Sequence, residues 1–240
     1  MIHALLLAFF STTGGLSLHP ELECSGSLSD RGGYQFRYEA WSRYNGKNVA
    51  ETKSGTVEKV VRGGASIHMP LGETWEMVVG SHIGYSWALA EGGARLTGSE
   101  EWVGQRIRMD YCLADLQFGV RWKPWRHLGF LTNLVLEEGL FGTFEWTDFD
   151  GSKIASGEFG STRSYYMGFP LKVYLKVGPE IHFLDRFAVS PWLGFGYAPV
   201  MTATSHLSTG GFPGYPHWFG EEGEESLLSG KMGILASFEI

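Results

Sequence analysis

The residues best able to do chemistry by type and spacing lie near the C-terminus, where His206 and His217 share one long stretch with Glu221, Glu222, Glu224 and Glu225. Imidazoles and carboxylates of this kind ligate transition metals, but the spacing matches neither HExxH nor a Cys/His zinc pattern. A glycine-rich run with scattered acids is far more often a solvated loop, so we expect no metal. His82 lies on a polar strand face with Glu76 and reads as part of an interior polar network rather than as a general base. Cys24 and Cys112 are too few for a disulfide framework and form no CxxC pair. Cys112 reads as a small buried hydrophobe within a strand. Leu22-Glu23-Cys24 fails as a lipobox because Glu23 stands where a small residue is required. GxSxG, HExxH and the P-loop are missing from the sequence, so neither an enzyme nor a cofactor is expected from motifs.

The elements that carry these residues follow from composition and period. Of 240 residues 43% are hydrophobic and only 19% charged, with 34 glycines, which argues for a folded core and against disorder. The net charge of −7 supplies no surplus of Lys and Arg to neutralise phosphates, so nucleic acid is not an expected partner. After the N-terminus no apolar run reaches the roughly 18 to 20 residues of a spanning helix, so any membrane crossing must use strands. Residues 4–10 form a short apolar core followed by small and polar residues at 11–15, which reads as a secretory signal occupying 1–20.

Alternation of period two dominates the remainder. Trp75, Met77, Val79, Ile83, Tyr85, Trp87 and Leu89 share one face against Glu76, Gly80, His82, Gly84 and Ser86. Cys112, Ala114, Leu116, Phe118, Val120 and Trp122 oppose Asp115, Gln117, Gly119 and Arg121. Similar runs begin at Tyr165 and Phe187 and end the chain at Ile240; Tyr34, Phe36 and Tyr38 mark a first strand, 56–68 a less regular one, and 128–146 a long one broken near Glu138 and Gly139, where a bulge is expected. Connections alternate between long (45–55, 91–104, 148–161, 204–226) and short (69–74, 123–127, 178–185). That is the plan of an eight-stranded, antiparallel, up-and-down transmembrane β-barrel spanning 30–240, with tight turns on the periplasmic side. Trp75, Trp87, Trp122, Trp125, Trp146, Tyr165 and Tyr197 fall toward strand ends, as an aromatic girdle would. A soluble closed barrel with an apolar interior would show the same alternation, but the polar face is rich in Gly, Ala and Ser and poor in charge, which suits a lumen better than a water-facing exterior.

The polar face gives the lumen lining as Arg37, Glu39, Glu76, His82, Asp115, Gln117, Arg121, Asn133, Glu137, Lys172, Tyr174, Lys176 and Lys231. An eight-stranded lumen is just wide enough for side chains to fill. Mixed signs in so narrow a space should pair with one another, because an unpaired buried ion costs several kcal/mol. The interior should therefore be largely plugged, with at most a narrow path.

On this pattern and loop order the chain resembles the small eight-stranded outer-membrane barrels of bacteria, the OmpW-like and OmpA-like group. Its last strand, from Ser229 to Ile240, is similar to the C-terminal assembly signal of that group, with Phe238 two places before a terminal Ile240 rather than a terminal aromatic. The resemblance implies an outer-membrane location, with membrane lipid and the barrel-assembly machinery as partners. It also implies a function in the external loops or in a narrow passage for small, hydrophobic solutes. A narrower resemblance is to the omptin surface proteases: the run from Tyr166 to Lys176 is similar to the omptin segment before its Asp-x-His pair, and Ser99-Glu100-Glu101-Trp102 to its Asp-x-Asp-Trp element. By that match the site would fall to Glu101 and His206, but Ser99 and Thr204 stand where the family has acids. An omptin-like endopeptidase and an adhesive or structural envelope protein that binds a host ligand are therefore the alternatives.

Overall fold

The computed structural model describes residues 15–27, 49–160, 167–168, 172–184, 186–197, 202–203 and 229–240. Its elements are β1 (Ser17–Ser27), β2 (Val49–Pro70), β3 (Trp75–Leu96), β4 (Trp102–Trp125), β5 (Leu128–Asp148), β6 (Lys153–Gly160), β7 (Met167–Gly168), β8 (Lys172–Leu184), β9 (Phe187–Tyr197), β10 (Thr202–Ala203) and β11 (Ser229–Phe238). None of the described residues is helical.

Eight strands close the wall. β1, β2, β3, β4, β5, β8, β9 and β11 pair antiparallel in that order, and β11 returns to β1 through Glu21↔Ser237 to Ser27↔Lys231. Closure gives every strand of the ring a neighbour on both sides and leaves the ring without an edge. β6 lies against the far part of β5 (Phe141↔Gly160 to Thr147↔Lys153), and β8 takes over the same flank from Glu137↔Lys172 downward. β7 and β10 form a separate two-residue pairing.

The connections at one end are tight. Leu71 N–H donates to the Trp75 carbonyl at 2.8 Å to turn β2 into β3, and only 126–127 separate β4 from β5. Both chain ends of the barrel sit there too, since Ile240 N–H donates to Leu18 O at 3.0 Å and Glu239 N–H to Arg186 O at 2.8 Å.

Two expectations need correction. The first strand of the barrel is Ser17–Ser27, upstream of the expected boundary at residue 30, whereas Tyr34, Phe36 and Tyr38 lie outside the described residues. Most of 49–55, 91–104 and 148–161 is hairpin rather than long loop: β2 pairs with β3 from Val49↔Leu96 onward, β3 with β4 up to Arg95↔Trp102, and β5 with β6 from Phe141↔Gly160 to Thr147↔Lys153. The glycines and charges that look like loop composition are the outer ends of strands standing beyond the apolar belt. The irregularity near Glu138 is present as an extra residue, Leu140, between the pairs Leu113↔Gly139 and Cys112↔Phe141.

The wall sorts its faces as the alternation requires. Leu22, Ile83, Leu116, Phe118, Leu134, Leu175, Leu193, Phe195, Met232 and Ile234 point outward and are each more than a third exposed. Cys112 shares that outer face at intermediate exposure rather than being buried. Inside, Val78, Leu131, Val135, Tyr174, Trp192 and Leu235 form an apolar cluster. Buried charged side chains from β1, β2, β4, β5, β8 and β11 are interleaved with it.

Candidate functional site

The described lumen residues that alternation points inward meet as one network. Arg62 of β2 is its hub: Nη1 donates to Asp115 Oδ2 at 2.6 Å and lies 2.9 Å from Glu137 Oε2, Nε lies 2.9 Å from Glu23 Oε1, and Nη2 donates to Tyr174 OH at 3.3 Å. One guanidinium thereby ties β2 to β1, β4, β5 and β8 across the bore. The planar fork of arginine suits this, since it can serve several carboxylates at fixed angles. Lys176 of β8 closes on Glu23 from the other side.

Above this layer Lys172 donates to Glu58 Oε1 at 2.7 Å and sits 2.9 Å from Glu137 Oε1, while Lys231 lies 3.0 Å from Glu137 Oε1 and 3.2 Å from Glu58 Oε2. Two ammonium groups and two carboxylates thus form a four-membered ion cluster, capped by the Tyr111 hydroxyl donating to Glu58. Below it His82 bridges Asp115 Oδ1 at 2.9 Å and Glu21 Oε2 at 2.7 Å. In its doubly protonated form this imidazole donates to both carboxylates and places a positive charge between two negative ones. Nearest the tight turns, Arg121 is held by Glu180 and by Glu76 Oε2 at 3.1 Å, and Lys123 meets Glu76 Oε1 at 2.7 Å.

Backbone choices make room for these groups. A Cβ on Gly64 would lie 2.7 Å from Cδ2 of His82, and one on Gly119 would lie 2.2 Å from Oδ1 of Asn133. Only glycine lets these inward side chains lie flat across a neighbouring strand.

Of the lining residues read from the sequence, His82, Asp115, Gln117, Arg121, Asn133, Glu137, Lys172, Tyr174, Lys176 and Lys231 are buried inside the barrel and Glu76 is partly so; Arg37 and Glu39 lie outside the described residues. Glu21, Glu23, Glu58, Arg62 and Glu180 are equally part of the network and were not among them. The signal was there: His19, Glu21, Glu23 and Ser25 alternate with Leu18, Leu22 and Cys24, and Glu58, Arg62, Ser66 and His68 alternate with Val57, Val61 and Ile67.

Glu101 lies at the exposed tip of the β3–β4 hairpin, where its N–H donates to Ser99 Oγ at 3.1 Å. His206 and His217 lie outside the described residues. Among the described residues no group of three or more His, Cys, Asp or Glu is arranged to hold a metal.

The girdle residues Trp75, Trp122 and Trp125 gather near the tight turns, with Trp75 and Trp122 stacked at 5.8 Å and Phe130 beside Trp122 at 5.7 Å. Trp87 stands farther along β3 against Tyr85, with ring centroids 4.9 Å apart. Trp146 and Tyr197 fall in β5 and β9, and Tyr165 lies outside the described residues. At roughly 3.3 Å per residue, about 40 Å of strand separates Trp75 from Trp87, and a tilt of roughly 40° brings this to about 30 Å, the height of an apolar band with its two interfaces. Beyond Trp87 the outward positions turn polar: Glu91 on β3, then Arg106, Arg108 and Asp110 on β4 and Glu145 on β5. A closed wall, an apolar belt bounded by tryptophans and a polar lumen occur together only in one class of protein. The barrel is of the bacterial outer-membrane type.

Past the belt the hairpins are laced by exposed pairs, Arg95 with Glu51 at 3.0 Å and Arg106 with Glu91 at 3.2 Å. In the β5–β6 turn the backbone N–H of Ser152, and then its hydroxyl, hold the Asp150 carboxyl below the usual carboxylate range.

No protein-family model and no curated protein matches the chain. Among solved structures it is similar to Ail, the attachment invasion locus protein of Yersinia pestis, at 9% identity over 94% of this chain and 97% of that one, with a TM-score of 0.40. The same protein in complex with the heparin analogue sucrose octasulfate gives 8% identity and a TM-score of 0.37 over the same shares. The translocator domain of the autotransporter NalP from Neisseria meningitidis is 8% identical over 99% of this chain and 93% of that one, with a TM-score of 0.27.

Proposed function

We propose that this chain is an integral outer-membrane barrel with a sealed lumen, which acts through its outer hairpins and loops rather than by conducting solute. The observation that carries this reading is the Arg62 hub. A guanidinium with no exposed side-chain surface, held by Glu23, Asp115 and Glu137 from three other strands, occupies the bore at mid-height. A solute on the axis would have to break these pairs without replacing them, and separating buried ions costs several kcal/mol. Buried apolar side chains, Val78, Leu131, Val135, Tyr174, Trp192 and Leu235, pack among these charges.

Purified protein refolded into planar bilayers is expected to give no steady conductance, and liposomes that contain it to retain small sugars and amino acids. Stable single-channel steps with the wild type would favour the narrow-passage reading instead. The membrane assignment is checked separately by recovery in the outer-membrane fraction and by heat-modifiable migration on gels.

An omptin-like activity is not expected. Glu101 is at an exposed hairpin tip, and the family's acids are absent at Ser99 and Thr204. Cleavage of peptides containing basic residues, abolished by His206→Ala and retained by His217→Ala, would overturn this and make the protein a protease.

A further inference from the structure

Between β8 and β9 the backbone ladder is interrupted within the apolar belt. β8 and β9 pair at Val177↔Leu193 and again at Ile181↔Val189, but the three positions between them are unpaired. By the same register Pro179 stands opposite Pro191. On its other side each proline sits in an unbroken ladder, through Phe130↔Pro179 to β5 and through Ile234↔Pro191 to β11. Both missing N–H donors therefore belong to the β8–β9 seam, and they remove the pair of hydrogen bonds that two facing residues would exchange there. Proline in a strand interior is otherwise confined to edges and bulges, so two prolines face to face in a closed wall mark a local feature that the fold does not need.

This seam is the floor at one end of an outward groove of about 1030 Å³, at the large end of the range for small-molecule sites. The groove crosses the wall from Lys59 and Val57 on β2, over Gly26, Met232 and Leu193, to Pro179 on β8. Small residues deepen it: Cys24, Ser25, Gly26, Gly178 and Gly233 all border it. At Gly178 a Cβ would lie 2.2 Å from the Pro191 carbonyl oxygen, so the close approach of the two strands at the seam needs glycine. Trp192, almost fully buried, borders the groove from the inner side of the wall, and its Nε1 has no hydrogen-bond partner.

Strand tilt sets the groove's direction through the membrane. Lys59 pairs with Trp87, at the outer aromatic edge, whereas Phe130 at the far end stacks on Trp122, at the inner edge. The groove thus descends obliquely through the belt, apolar along its length, with one exposed cation at its upper end. Among the described residues no carboxylate is paired with Lys59.

We propose that this groove seats one acyl chain of an outer-leaflet lipid, with the lipid's phosphate at Lys59 and the chain lying over the Pro179–Pro191 seam. The inference rests on the outer-membrane reading. The charge at the upper end selects an anionic headgroup, and the length and apolarity of the remainder select a long saturated or monounsaturated chain over a globular solute.

Native mass spectrometry of the full-length barrel in detergent, with lipid A added as the probe, tests this. The wild type is expected to retain one lipid more than Val177→Trp, which fills the groove from a membrane-facing position, and Lys59→Gln is expected to lower lipid A affinity about tenfold. Leu116→Trp, on the same kind of surface away from the groove, should behave as wild type. Heat-modifiable migration of each variant shows that it is folded, so a failed barrel is told apart from a failed site. Equal lipid retention in wild type and Val177→Trp would overturn the proposal. So would binding of free fatty acid or detergent with the same stoichiometry and no dependence on Lys59.

Discussion

Opposite charges meet at similar distances in two regions of this molecule, and their energetic standing differs. In the lumen, Arg62 and its three carboxylates lie at 2.6 to 2.9 Å with side chains almost without exposed surface. On the outer hairpins, Arg95 and Glu51 meet at 3.0 Å with side chains 40% and 55% exposed. In the first case the partners have given up their water and depend on each other. In the second, water competes for both ions, and two long side chains must be ordered to make the contact. Distance alone does not separate the two; surroundings do.

The largest effect should come from breaking the lumen. Arg62→Met keeps much of the packing volume but leaves Glu23, Asp115 and Glu137 without the cation they share, and loss of one member of a buried set typically costs about 3 to 5 kcal/mol. Equilibrium unfolding by urea from lipid vesicles measures it. Arg62→Lys, which keeps the charge and loses the fork, should recover only part of that. A cost below about 1 kcal/mol for Arg62→Met would mean that the bore is wet, and would also undermine the sealed-lumen reading.

An intermediate effect is expected where a charge is forced onto the outside of the same wall. Leu116 is 49% exposed on β4, opposite Ser81 and midway between the two aromatic edges. Leu116→Arg should cost roughly 2 to 4 kcal/mol in a bilayer, the usual penalty for a cation at the midplane of a barrel's lipid face. The same substitution at Glu145, beyond the belt, should be close to neutral. Equal tolerance at both positions would place the belt elsewhere on the wall.

How far these regions could be read from the sequence follows from the same physics. Alternation along 112–122 assigns Asp115, Gln117 and Arg121 to one face without reference to any partner, because the period of a strand fixes it. Partner identity is not legible, since Lys176 and Glu23 are 153 positions apart and meet only because the wall closes. β1 is obscured because its alternation follows directly on the apolar residues 4–10, which read as export signal. β2 looks irregular at Gly63, Gly64 and Ala65, and of these Gly64 is what makes room for His82, since a Cβ there would lie 2.7 Å from its Cδ2. Glu180 is hidden by Gly178 and Pro179, which read as a turn by every local rule. They are instead the broken seam between β8 and β9, inside a wall whose other ladders hold them in line.

The smallest effect should come from the exposed pair. Removing Arg95 or Glu51 as glutamine is expected to change stability by less than about 1 kcal/mol, and the coupling from a double-mutant cycle should fall between about 0.2 and 1 kcal/mol. Salt gives the sharper measurement. At 1 M ionic strength the screening length is about 3 Å, so the coupling between Arg95 and Glu51 should vanish, whereas the cost of Arg62→Met, whose partners ions cannot reach, should hardly move. If both responded to salt alike, the lumen pairs would be as hydrated as those on the hairpins. The distinction between a cross-braced bore and a decorated rim would then fail, and with it the reason for assigning this barrel's activity to its outer hairpins.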